Sequence, residues 1–347
     1  MMAIIFFILL LMLFLINFFF IRNAILIDKS VNLQDSHKKF VNSKNSNVPL
    51  SGGFFFLISL SFLISFFDPI LIILFFLIYI IGLLSDIHFL NSAKIRIILQ
   101  FFVILILVLY SGVNITDIRI ISFNYFLNYK LISIFFTIFC ILILINGSNF
   151  IDGVNTLLSG YILLVSIILT YVSYKNNLSF NQVIFQYFIL ILVVFFIFNF
   201  FNKSFLGDSG AYLVSSFLGF NLILFFLNNN QVSPYFIVVL LWYPAFENLF
   251  SIFKRLFFKK KSYLPDNSHL HHKVFSFLSK KINLKRNQLS TAAGLLINIL
   301  NFPCLLLAMQ NIYSTQLQLQ IILFNVIFYL VIYYFLSRNI RKKIRYT

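Results

Sequence analysis

Long apolar runs alternate with short polar breaks along the whole chain. They fall near 3–21, 51–67, 69–84, 95–110, 131–146, 156–174, 182–201, 209–228, 234–252, 291–310 and 318–337. Each approaches the length of about 20 apolar residues that a helix needs to cross a bilayer. The pattern therefore predicts an all-α, polytopic transmembrane bundle of about eleven spans. Only Asp68-Pro69 separates the second run from the third, which predicts a tight helical hairpin there. Met1 to Phe20 is apolar from its start, with no basic segment ahead of it and no small-residue cleavage pattern. It reads as a retained first span rather than a removed signal.

Composition agrees. Of the 347 residues, 61% are hydrophobic and 10% charged, too few polar side chains to cover a soluble core. Cys140 and Cys304 stand alone in separate apolar runs without metal-ligand spacing, and they read as small buried hydrophobes.

The net charge of +17 is distributed unevenly. With alternate loops placed on one side, 22–50 holds five Lys or Arg, 85–96 two, 202–208 one, 253–290 ten and the tail after 337 five. That side has 23 of the 26 basic residues; only Arg119, Lys130 and Lys175 fall on the other. Basic residues stay cytoplasmic, which predicts an outside N-terminus and a cytoplasmic C-terminus. The excess charge thus reports topology and contact with anionic lipid, not nucleic-acid binding.

The nine acids follow the same division, although positive-inside sorting does not require it. Asp68 and Asp117 fall on the outer side, while Asp28, Asp35, Asp86, Asp152, Asp208, Glu247 and Asp266 fall on the cytoplasmic side. Asp208 and Asp152 each precede a run and can be read simply as helix caps. Asp86 ends a run, where the helix dipole disfavours an anion. Glu247 lies about two turns inside its run, where an ionisable group is a functional candidate.

Polar groups of consistent type surround these acids. "NGSNFIDGVN" supplies Asn149, Asp152, Gly153 and Asn155, and "NSHLHH" supplies His269, His271 and His272 in a basic loop. Zinc binding and a plain solvated loop are other readings of the histidines, but H-x-H-H alone is a weak metal pattern. Carboxylates, amides and cations on one face suit a Mg²⁺–diphosphate site, since Mg²⁺ takes one or two carboxylates and shares phosphate oxygens.

At this point the chain resembles the polyprenyl-phosphate N-acetylhexosamine-1-phosphate transferases, the superfamily that includes phospho-N-acetylmuramoyl-pentapeptide transferase. "VPLSGG" (48–53), "GLLSDIHFLNSAKIRIILQ" (82–100), "NGSNFIDG" (146–153), "FLGDSGA" (205–211) and "PDNSHLHH" (265–272) match that family's motifs in order. The histidine loop and the "NFIDG" wording look more like the N-acetylglucosamine-1-phosphate transferases than the muramoyl-pentapeptide branch. The resemblance implies one integral-membrane transferase domain over 1–347, with loops 22–50, 85–94, 147–155, 202–208 and 253–290 forming the active face.

The implied reaction moves an N-acetylhexosamine 1-phosphate from a UDP-sugar, UDP-GlcNAc by default, to undecaprenyl phosphate. It releases UMP and needs Mg²⁺, with Mn²⁺ as an alternative ion. It would be the first membrane step of a cell-surface polysaccharide such as O-antigen or lipopolysaccharide, in a bacterial cytoplasmic membrane. Asp86, Asp152 and Asp208 are implied catalytic residues, with Asp208 and Asn149 as metal ligands. Lys94, Asn149, Gly153, Asn155, Phe205, Glu247, His269, His271 and His272 are implied substrate contacts, Phe205 packing on either the uracil or the protein. A homodimer is one option.

Two positions depart from the family pattern. Ser85-Asp86 stands where the family has two aspartates, and Val154-Asn155-Thr156 stands where many members have a further Asp-Gly. The competing class is a transporter or flippase of lipid-linked sugars. It would favour polar residues at the midplane and an inverted repeat, and neither stands out.

Overall fold

A computed structural model describes residues 2–27, 48–62, 68–257 and 269–344, with backbone alone for 339–344. Asp28, Asp35, Asp266 and the first four residues of "PDNSHLHH" lie outside the described residues. The described chain forms helices α1 (Met2–Arg22), α2 (Gly52–Ser61), α3 (Pro69–Asp86), α4 (Ala93–Ser111), α5 (Ile121–Leu127), α6 (Lys130–Ile151) and α7 (Leu157–Lys175). These are followed by α8 (Gln182–Phe200), α9 (Gly207–Asn228), α10 (Pro234–Phe257), α11 (Leu270–Lys281), α12 (Arg286–Gln310) and α13 (Thr315–Ile344).

Ten of these helices are long and apolar enough to cross a membrane. Of the eleven predicted spans, the second appears as the ten-residue α2, and residues 63–67 beyond it lie outside the described residues. The pattern did not predict α5 and α11, both of which sit in connections between spans. Apolar side chains such as Phe7, Leu11, Phe14 and Phe18 of α1 face outward, as suits a bundle whose solvent is lipid.

The bundle is built around α9, in which 19 of 22 residues are buried. A helix apolar on every side belongs in an interior. Its main neighbours are α3, α6 and α2. At Gly82 the α3 backbone comes so close that an added Cβ would lie 2.6 Å from Ser209 N and 2.7 Å from Asp208 O. Gly82 thereby sets the separation between the end of α3 and the start of α9.

Pro244 lies inside α10 and has no N–H for the carbonyl of Leu240. The buried hydroxyl of Tyr161 donates to that carbonyl at 3.0 Å, as a membrane interior requires. At the far end of the bundle, the Arg119 guanidinium donates to the carbonyls of Asn230, Gln231, Val232 and Tyr313 and to the Thr315 hydroxyl. That arginine ties three connections together, well away from the acids described next.

Candidate active site

The start of α9 needs partners for its first N–H groups, because a helix leaves them unsatisfied. Asp208, inside that first turn, does not cap it. The cap comes from α3: the N–H groups of Asp208 (2.9 Å) and Ser209 (3.0 Å) and the Ser209 hydroxyl (2.8 Å) all donate to the Asp86 carboxylate. The positive end of α9 explains how Asp86 sits at the unfavourable end of its own helix. Gly207 makes the approach feasible. Its φ of +75° is easy only for glycine, and an added Cβ would stand 2.7 Å from Asp86 Oδ2.

The Asp208 side chain is therefore left for other work. Its Oδ2 accepts from the Ser85 hydroxyl at 2.6 Å and from Arg96 Nη1 at 2.9 Å. Arg96 Nη1 also donates to Ser85 Oγ at 2.5 Å. Lys94, the basic contact that the resemblance implies, is exposed, whereas Arg96, two residues on, turns into this corner. The available signal was helical register: Arg96 and Gln100 are four apart and share a face. Gln100, fully buried, accepts from Asn146 of α6 and so joins this corner to the next.

Asp152 does not begin a helix; it is the C-cap residue of α6, and its N–H donates to Ser148 O. Together with Gly153, Val154, Asn155, Asn199, Phe205 and Leu206 it surrounds a small gap between packed groups. Asn149 lies one turn earlier and is half-buried. The Asn155 amide donates to Asn202 Oδ1 at 3.0 Å, so it is already engaged with the protein. Phe205 is 1% exposed, packed against Val48, and anchored at Pro49 and Gly52 through its backbone. The second departure, Thr156, has φ +66°, a conformation that costs a β-branched residue about 1–2 kcal/mol. Bonds from Thr156 N to Asn199 (2.6 Å) and from Asn298 to Thr156 O (2.8 Å) hold it there.

Glu247 is 1% exposed and faces the histidine loop rather than the membrane interface. It repeats the device seen at Asp86: its Oε1 accepts the first N–H of α11, from Leu270, at 3.0 Å. Its Oε2 lies 3.1 Å from His269 Nδ1, and the Tyr243 hydroxyl donates to Oε1 at 3.4 Å. This fixes the start of the loop. The ring of His269 then stacks parallel to that of His271, with centroids 5.6 Å apart, and His272 packs on His271 at 4.1 Å. Gly153 gives His271 room, because a Cβ there would collide with His271 Nε2. The Asp152 loop and the histidine loop therefore meet directly.

Burial, reinforced by His272 and His269, pushes the proton affinity of His271 well below its usual value of 6.5. Neither of its ring nitrogens has a hydrogen-bond partner among the described residues. That shift favours the uncharged ring, which can both donate and accept a hydrogen bond. A folded-state pKa below the unfolded one means that the unfolded chain binds the extra proton as pH falls below about 6.5. Stability should therefore decline between pH 7 and 5. Melting curves in detergent should show that decline, and His271→Gln should remove part of it; a slope unchanged by the substitution would contradict the assignment.

The carboxyl and amide oxygens here are hard donors of the kind Mg²⁺ takes. Among the described residues no group of three or more His, Cys, Asp or Glu side chains forms a ready-made metal cage.

The fold and this end of the bundle define a polytopic membrane protein with a carboxylate-, amide- and histidine-lined site. Residues 69–226, from the start of α3 to near the end of α9, match the model of glycosyl transferase family 4. The chain is similar to an undecaprenyl-phosphate alpha-N-acetylglucosaminyl 1-phosphate transferase of Thermotoga maritima, 31% identical over 134 residues, 38% of this chain and 40% of the relative. It is also similar to a probable undecaprenyl-phosphate N-acetylglucosaminyl 1-phosphate transferase of Bacillus subtilis, 28% identical over 214 residues, 58% of this chain and 56% of the relative. The chain thus spans about 40% and 56% of the lengths of these two relatives.

Proposed function

We propose that this protein transfers an N-acetylhexosamine 1-phosphate from a UDP-sugar to undecaprenyl phosphate at the cytoplasmic face of a bacterial inner membrane. A phosphate oxygen of the lipid attacks the β-phosphorus of the donor. The bond from that phosphorus to the bridging oxygen breaks, and UMP leaves with the oxygen. The names of the two bacterial relatives supply the lipid and sugar classes, and UDP-GlcNAc is the first donor to try.

One observation carries this reading most directly. Asp86 of α3 relieves Asp208 of capping duty at the start of α9, and Gly153, just after α6, packs on His271 of α11. When bound, Mg²⁺ would neutralise charge developing on the leaving phosphate. Asp208 would hold it, with Asn149 in the last turn of α6 and Asp152 at the end of that helix. Gly153 and the neutral His271 would let the donor approach and accept or donate hydrogen bonds to it. Glu247 would keep His269 oriented. Ser85 has no charge to act as a base at neutral pH, so the lipid phosphate attacks in its already ionised form.

Purified protein should release UMP from UDP-GlcNAc only when both undecaprenyl phosphate and Mg²⁺ are present, with Mn²⁺ as a substitute ion. UDP-GalNAc and a UDP-linked deoxy-aminosugar complete the donor panel. Release independent of the lipid, or no release from any donor, would sink the proposal.

A further inference from the structure

Arg96 is a cation built into the same corner that a divalent ion would use. Its Nη1 touches both Asp208 Oδ2 (2.9 Å) and Ser85 Oγ (2.5 Å), and Ser85 bonds to Asp208 in turn (2.6 Å). The three side chains form a closed triangle. Because residue 85 is serine, it adds no charge beside the Arg96–Asp208 ion pair, while the Asp86 carboxylate accepts from the start of α9. A bare divalent ion approaching Asp208 would meet a carboxylate already compensated and a guanidinium that repels it.

Arg96 is also incompletely satisfied. Its Nε is buried without a hydrogen-bond partner, whereas the side chain as a whole remains 17% exposed. A guanidinium presents five donors in a planar fork, suited to bidentate binding of phosphate. The present ion pair uses only Nη1 among the contacts to Ser85 and Asp208.

We propose that Arg96 is a latch on Asp208. Arg96 and a metal ion compete for this carboxylate, and the ion gains it only when a diphosphate arrives to receive the freed guanidinium. Free metal therefore binds poorly, and metal and diphosphate bind interdependently. This rests on the transferase reading above insofar as it takes the diphosphate to be the nucleotide's. Ser85 belongs to the latch because its hydroxyl holds both partners without adding charge.

The test is Mn²⁺ binding to the full-length protein, followed by electron paramagnetic resonance, with and without UDP and with no catalysis involved. In the unaltered protein UDP should tighten Mn²⁺ binding at least about tenfold, since linked ligands strengthen each other by the same factor. Arg96→Gln should bind Mn²⁺ alone at least about tenfold more tightly than the unaltered protein, and UDP should add less. Arg96→Lys keeps the charge and should stay weak, whereas Ser85→Asp adds a carboxylate and should tighten Mn²⁺ alone. If Arg96→Gln and Ser85→Asp leave Mn²⁺ binding unchanged while Asp208→Asn abolishes it, the latch is wrong and the metal site stands. If no variant binds Mn²⁺ even with UDP, both the latch and the transferase reading fall.

Discussion

Asp208→Asn is expected to lower sugar-phosphate transfer at least about 100-fold, the usual scale for removing one electrostatic contributor to a transition state. A neutral amide is a weaker ligand than a carboxylate for a hard divalent ion and cannot form an ion pair with Arg96. The same substitution should leave the fold intact. The N–H groups at the start of α9 are held by Asp86, and the Asp208 side chain contributes no cap of its own. UMP release and thermal melting should therefore separate, with activity lost and melting temperature shifted little. Activity within a few fold of the unaltered protein would remove Asp208 from the chemistry. An equal collapse of melting temperature would make it structural instead.

Much of this molecule is legible in its sequence because the membrane imposes a local rule. Each crossing must be a long apolar helix that satisfies its own backbone, so the runs could be read one at a time. The acids, amides and histidines could also be picked out individually, since each is expensive in such surroundings. Their division of labour could not. Asp208 precedes an apolar run and looks like its cap, yet the cap is Asp86, whose carboxylate comes from a distant helix. Glu247 reads in sequence only as an ionisable group inside its run, and its acceptance of the first N–H of α11 is visible only in the fold. Caps supplied from another helix leave no mark in local spacing.

Arg96 escaped for a related reason. Lys94 and Arg96 both lie in the first turn of α4, and only packing decides which one turns inward. Phe205 had two readings from sequence, on a ligand or within the protein. Its burial against Val48, while it borders the gap beside Asp152, depends on the loop at 48–53, whose backbone pairs with it. The left-handed turn at Thr156 was visible only as a departure from the family's Asp-Gly. The strain it stores, and the asparagines that hold it, depend on α8 and α12.

Asp86→Ala should behave in the opposite way to Asp208→Asn. Removing this carboxylate leaves the N–H groups of Asp208 and Ser209 buried without their partner. Each such loss costs about 1–3 kcal/mol, so destabilisation of about 3 kcal/mol is expected. Asp86→Asn should be milder but still harmful, because its amide turns donors toward N–H groups that need an acceptor. Transfer should fall in both variants, as a displacement of about 1 Å at a catalytic group can cost about 100-fold. Gly207→Ala perturbs the same contact without touching either acid, since its Cβ would press on Asp86 Oδ2 and its φ is +75°. Thermal melting should therefore group Gly207→Ala with the Asp86 variants and apart from Asp208→Asn. If Asp86→Ala instead melts like the unaltered protein while transfer disappears, Asp86 acts on the substrate itself, and the start of α9 does not depend on it.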